Sequence, residues 1–233
     1  MSTLAQFRTS VQLKLGLDST SGGAEETLLD SWVNQGVVDV LLRTKCNVNP
    51  ATMTTTSDEG DYTLTQAALA IEDLTYTDAS GAQTRNLTRV TPADILRFRT
   101  SNPAAGTNTR YYAFTGNDLF MFYPTPESVD TITVYYVPRP AALSSGSHDP
   151  SAETYGNIPP EYHKAIELYA LAEAAEFTDH QPSQFGLRYK QEYEQKLVEI
   201  KRAQRHKGGR SLGAAIVGKR RPLVGVNSQY PRA

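Results

Sequence analysis

Leu4, Phe7, Val11 and Leu15 recur at the three- and four-residue spacing that lines one face of an α-helix, and Gly16 stands where such a helix would stop. After the polar run from Ser19 to Gly23, residues 24–43 repeat the pattern over a longer span. Leu28, Leu29, Trp32, Val33, Gly36, Val37, Val40 and Leu41 form a broad apolar stripe, and Glu25 and Glu26 occupy the first turn, where the helix dipole favours carboxylates. From Val48 the texture becomes Thr-rich and β-branched. Thr52 to Thr56, the polar turn Ser57-Asp58-Glu59-Gly60-Asp61 and Tyr62-Thr63-Leu64 predict a hairpin, and Ile71 to Thr77 with Asn86 to Val90 predict a second strand pair around Ser80-Gly81. Thr91 as N-cap, Pro92 at the first helical position and Asp94 predict one or two helical turns running into Ile95-Leu96. Tyr111 to Phe114 and Leu119 to Tyr123 flank Gly116-Asn117-Asp118 as a compact hairpin, and Ile132, Val134 and Tyr136 alternate along a further strand over 131–137.

Pro138, Pro140, Ser144-Ser145-Gly146-Ser147 and Pro150 predict a loop that returns the chain to helix. Pro159-Pro160 opens a helix with Ile166, Tyr169, Ala170 and Ala174 at helical spacing. Pro182 interrupts it, and Phe185, Tyr189, Tyr193, Leu197 and Ile200 carry a long amphipathic helix to Gly208-Gly209. This order predicts an α+β fold. A helical bundle is built from N-terminal helices (1–46) and C-terminal helices (141–207), an antiparallel β-domain (47–140) is inserted between them, and an extended arm (208–233) follows.

Composition narrows the class. The 233 residues allow a sizeable core, yet only 39% are hydrophobic. The mean hydropathy of -0.44 points to chain that a monomer does not bury. Cys46 is the only cysteine, which excludes an intramolecular disulfide framework and a Cys-rich metal site. No run approaches the roughly 20 apolar residues that span a bilayer, and residues 2–8 lack the charged-then-apolar pattern of a secretory leader.

Catalytic signals are sparse. His163, flanked by Glu161 and Glu167, is the best candidate, but a zinc-protease pattern needs a second histidine one turn away, and the simpler reading is a surface ion pair on a helix. His148, His180 and His206 occupy ordinary surface positions. Asp58-Glu59-Gly60-Asp61 lacks EF-hand spacing and reads as a solvated turn. Lys45 could lower the Cys46 pKa, although an unreactive thiol is the plainer expectation. The aromatic hairpin could stack bases but has only Arg110 as nearby positive charge, so one core face and one interface face are expected. The sequence therefore predicts no catalytic residue, cofactor or metal.

The clearest asymmetry lies at the C-terminal end. After Glu199 there is no acidic residue, while Lys201, Arg202, Arg205, Lys207, Arg210, Lys219, Arg220, Arg221 and Arg232 accumulate in a chain of net charge -2. Sorted charge implies a partner. Phosphate binding would need only the cations, whereas Leu212, Ile216, Val217, Leu223, Val224 and Val226 are threaded among them, and Gly and Pro argue against a continuous helix. Those features predict an extended segment that orders on a protein groove, with apolar anchors and basic rim contacts.

Several runs resemble the head-to-tail adaptor (connector, or neck) proteins of tailed bacteriophages. They are Leu96-Arg97-Phe98-Arg99, Arg110-Tyr111-Tyr112-Ala113 with Gly116-Asn117-Asp118-Leu119, Tyr123-Pro124-Thr125-Pro126, Ile132-Thr133-Val134-Tyr135-Tyr136-Val137-Pro138-Arg139-Pro140, and Ile158-Pro159-Pro160-Glu161-Tyr162-His163-Lys164-Ala165-Ile166. The resemblance implies a structural virion protein, not an enzyme. It implies a dodecameric ring under the portal in the virion neck, made in the host cytoplasm, with DNA passing through the lumen without sequence-specific binding and with no membrane partner. The arm over 208–233 would dock on the portal, with Leu212, Ile216, Val217, Leu223, Val224 and Tyr230 as anchors and Lys219, Arg220 and Arg221 as charge contacts. The β-domain would face the tail-side component. The alternative is a nucleic-acid-binding module using the same basic arm. A small-molecule enzyme centred on His163 stands third.

Overall fold

The computed structural model describes residues 2–16, 24–78, 84–102, 109–116, 118–179 and 184–208. All nine predicted docking residues, Leu212 to Tyr230, lie outside the described residues, as does His180. Four helices, α1 (Leu4–Leu15), α2 (Ala24–Thr44), α4 (His163–Asp179) and α5 (Gln184–Gly208), pack around one apolar core. Between α2 and α4 the chain forms eight strands and α3 (Pro92–Ser101), so the fold is α+β with the β-region inserted between the helix pairs.

Local chemistry sets the helix ends. In α1 the Thr3 N–H donates to Gln6 Oε1 at 3.0 Å, and Gly16 closes the helix in the left-handed region at φ 65°. Leu4, Phe7 and Val11 turn inward as their spacing requires. Arg8 clamps α1 to α2 by donating to both carboxylate oxygens of Asp30, at 2.6 and 2.5 Å. Helix α4 is buried on several sides, and its small residues Ala165, Ala170, Ala172, Ala174 and Ala175 let neighbouring helices approach closely. Gly36 of α2 serves the same approach, because a Cβ there would sit 3.2 Å from Tyr169 Cδ1 and 3.3 Å from the Ile166 carbonyl oxygen. Phe185, expected on the apolar stripe of α5, is instead 66% exposed in the first turn of that helix.

The strands form two four-stranded sheets. One has the order β1 (Asn49–Thr54), β8 (Thr131–Pro138), β3 (Ala68–Thr77), β4 (Thr84–Asn86); the other has the order β2 (Asp61–Thr63), β7 (Leu119–Tyr123), β6 (Tyr111–Thr115), β5 (Thr88–Arg89). Tyr62, Leu74, Phe120, Phe122, Ile132 and Val134 lie in the core between them. The aromatic hairpin β6–β7, the Thr91 cap and the alternation along β8 form as predicted.

Three expectations are corrected. The hairpin expected over 52–64 does not exist: β1 pairs with β8 and β2 with β7, in different sheets. The intervening turn is instead held by the Tyr62 hydroxyl, which donates to the Glu59 carbonyl at 2.8 Å and accepts the Thr56 N–H at 3.0 Å. The strand expected over 86–90 divides at the buried Leu87, sending β4 to one sheet and β5 to the other. Because β5 reaches β6 through α3, that pair is parallel and the β-region is not wholly antiparallel.

The loop over 141–162 is fastened to the helices. Leu143 exchanges backbone bonds with the Asn34 amide at 2.7 and 3.1 Å, and the Leu4 and Ala5 N–H groups donate to the carbonyls of His148 and Gly146. The two cores meet at β8. Ile132, Val134 and Tyr136 face the sheets, while Val137, one residue out of phase, joins the helical core.

Candidate functional site

Helix α5 leads to the predicted docking arm, and its attachment is firm up to Ile200. Tyr193, Leu197 and Ile200 are buried. The Tyr193 hydroxyl donates to the Asp39 carboxylate, and burial together with that carboxylate pushes the phenol well above its ordinary range. Arg43 of α2 forks onto both Glu194 oxygens at 2.6 Å each, so α2 and α5 are joined by a bidentate pair beside the Tyr193 ring. Beyond Ile200 none of residues 201–205 is buried. Arg205 neighbours Lys201 at i, i+4 and Arg202 at i, i+3, so the three cations share one side of the helix. The nearest carboxylates in sequence make their direct ion pairs with other cations, Glu194 with Arg43 and Glu199 with Lys196 at 3.0 Å, although Lys201 also helps to hold Glu194 ionised.

The far end of the β-region has the opposite sign. Asp58, Glu59 and Glu127 are exposed where the 55–60 turn meets the segment before β8; the Asp58 N–H donates to the Pro126 carbonyl at 2.8 Å, and Ser57 Oγ to the Glu127 carbonyl at 2.9 Å. Behind this tip Arg99 of α3 donates to the carbonyls of Gly60 and Phe122 and to Asp61, at 2.7, 3.1 and 2.8 Å. One face of the aromatic hairpin packs on the opposite sheet. The other is covered by α3, whose Phe98 ring lies 5.5 and 5.4 Å from Tyr111 and Tyr123, so the expected interface face is also core.

His163 is not the surface ion pair its sequence neighbours suggested. It is 3% exposed; Nδ1 accepts the Ser2 N–H at 3.2 Å and Nε2 lies 3.2 Å from the Ile158 carbonyl, so the ring is a neutral tautomer protonated on Nε2. Burial holds its pKa below the usual range, against a partial pull from Ile158 and Asp149. Glu167 turns instead to Ser10, Lys14 and Lys164; burial opposes its ionisation, but these donors outweigh it and lower its pKa. His148 is half-buried, stacked on Tyr155 at 4.4 Å. Cys46 is half-buried, with its thiol pKa raised by burial, while Lys45 is paired with Glu72 at 2.5 Å; the activated-thiol reading is thereby overturned.

Two clefts, of ≈ 390 Å³ beside Lys45, Glu72 and Arg89 and ≈ 180 Å³ beside Arg43, Lys190 and Tyr193, do not include His163 in their linings. Among the described residues, no group of three or more His, Cys, Asp or Glu side chains is placed to hold a metal ion. No helix among them is long and apolar enough to cross a membrane.

Comparison with known families matches residues 2–216 to the family model described as SU10 adaptor protein. No curated protein matches the chain. The family match spans both helix pairs and the β-region and reaches Ile216 in the basic arm.

Proposed function

Because the chain belongs to the SU10 adaptor protein family, and is therefore a phage head-to-tail adaptor, we propose that it assembles as a closed ring beneath the portal and joins it to the next neck or tail component. The observation that carries this reading is the family match over 2–216, which covers every described element and includes the fold order of helices, β-region and helices. In this reading the arm over 208–233 is the portal strap, with Leu212, Ile216, Val217, Leu223, Val224 and Tyr230 as anchors and Lys219, Arg220 and Arg221 as rim charges. Each subunit presents one strap, so many weak attachments on a ring combine into an avid one. The acidic tip of the β-region, carrying Asp58, Glu59 and Glu127, points the opposite charge at a tail-side neighbour. The firm α2–α5 joint described above supplies a rigid base from which the strap departs.

Electron micrographs of the purified protein mixed with portal test the reading directly: rings seated on portal are expected, and persistent separation of the two would overturn it. Deleting the chain from Gly209 onward removes no buried residue of the described cores. The truncated protein is expected to keep its far-ultraviolet circular dichroism and to lose portal attachment. Normal attachment by that truncation would refute the strap assignment while leaving the family unchanged.

A further inference from the structure

We propose that Lys201, Arg202 and Arg205, on the last two turns of α5, form a contact site for the phosphate backbone of duplex DNA, separate from the portal strap that follows. Three observations converge on this patch. Arg205 neighbours both Lys201 and Arg202 on one side of the helix, and none of the three is buried. The last two acidic residues before them on α5 make their direct ion pairs with other cations, Glu194 with Arg43 at 2.6 Å and Glu199 with Lys196 at 3.0 Å; Lys201 also acts on Glu194 through space, but three cations with no carboxylate after Glu199 leave the patch net positive. The stretch from Lys201 to Lys207 contains no apolar side chain larger than that of Ala203.

The last point separates this patch from the arm. A protein groove is read by apolar anchors, which the segment from Leu212 onward has and this stretch lacks. Single-sign charge without anchors suits a polyanion whose recognition needs no base contact, as with sequence-independent phosphate binding. Complementing the helix dipole does not explain the patch, because that effect fades within the last turn, and Lys201 and Arg202 lie almost two turns before the helix ends at Gly208. Arg202 and Arg205 are about 4.5 Å apart along the axis at a rise of ~1.5 Å per residue, close enough for their long side chains to reach neighbouring phosphates of one strand. The adaptor reading bears only on what the contact would be used for. The binding itself is a property of the chain.

The test uses full-length protein and a labelled duplex of arbitrary sequence, with fluorescence anisotropy at about 50 and 200 mM salt. Wild type is expected to bind at the lower salt and release at the higher. The variant carrying Lys201→Gln, Arg202→Gln and Arg205→Gln should bind at least about tenfold more weakly at the lower salt, and its slope of log affinity against log salt should fall by roughly 2 to 3, at ~0.9 for each phosphate that is no longer neutralised. A second variant with Lys219→Gln, Arg220→Gln and Arg221→Gln should keep the wild-type slope. Because all substituted helix residues are unburied, matching circular dichroism of the three proteins is expected. Unchanged DNA binding by the helix variant, or loss confined to the arm variant, overturns the proposal. If the helix variant instead loses portal attachment with DNA binding intact, the patch serves an acidic protein surface and the proposal fails. Failure of wild type to form rings on portal, with the DNA result as expected, would count against the adaptor reading alone.

Discussion

His163 sits where the N-terminus, the 141–162 loop and the start of α4 meet, and its two ring nitrogens are both occupied in the neutral form. Protonating Nδ1 would replace an acceptor for the Ser2 N–H with a second donor, in a place that water does not reach. The folded pKa is lowered from the ordinary value near 6.5. The contribution of this group is therefore complete above about pH 6.5, and it is lost as pH falls from there through the lower folded value, because the unfolded chain binds the proton more readily. Urea titrations between pH 7 and 5 should show falling stability, and His163→Gln, which can still accept and donate, should flatten that decline. The groups facing the ring are Asp149 at 3.8 Å, the Ser2 N–H and Glu161, and an unchanged pH slope in the variant would assign the decline to other groups. In the sequence, His163 was visible as a candidate but its setting was not. Its partners Ser2, Ile158 and Asp149 come from segments that only the docked loop brings together, whereas Glu161 and Glu167, its neighbours in sequence, drew the expectation to the surface.

Elements whose signal is local were legible, and elements defined by their partners were not. The Thr91 cap shows its capping bonds in full: the Asp94 N–H reaches Thr91 Oγ1 at 3.2 Å, and the Thr91 N–H reaches the Asp94 carboxylate at 3.3 Å. Helix α3 then runs further than the one or two turns expected, because Phe98 and Ile95 gain burial against the aromatic hairpin. The 52–64 hairpin failed for the converse reason: alternation identifies a strand but not the strand it pairs with. What replaces the missing hairpin bonds is a side chain and a backbone bond. Arg99 and the Phe122 N–H, which donates to the Gly60 carbonyl at 2.8 Å, tie the turn at Gly60 and Asp61 to β7. Arg99→Ala should leave the Gly60 carbonyl that backbone bond, strip the guanidinium from the Phe122 carbonyl, and cost about 1 to 3 kcal/mol, measured by chemical denaturation. A loss well below that range would mean that water replaces the guanidinium without penalty.

At the scale of the whole molecule, the order of helices, β-region and helices was legible because it follows from where periodicity changes along the chain, and the docking arm remains a proposal carried by its composition. The division of the strands into two sheets was not legible, since it depends on Leu87 turning inward between β4 and β5. The two cores share β8, so they should unfold together. Val137→Ala, which opens a gap on the helical side of that strand, should lower stability by about 2 kcal/mol in one transition, seen at the same denaturant concentration by helical circular dichroism and by tyrosine fluorescence. Two separated transitions would show the cores to be independent. The outer strand β1 carries a further consequence. Pro50 lies within it, opposite Tyr135, on the free border of its sheet. Having no N–H, it leaves a gap in the row of donors that an incoming strand would need. An adaptor, whose work is to join other phage head and tail proteins, thus carries a block against the least selective kind of association, the indefinite extension of a sheet from one molecule into the next.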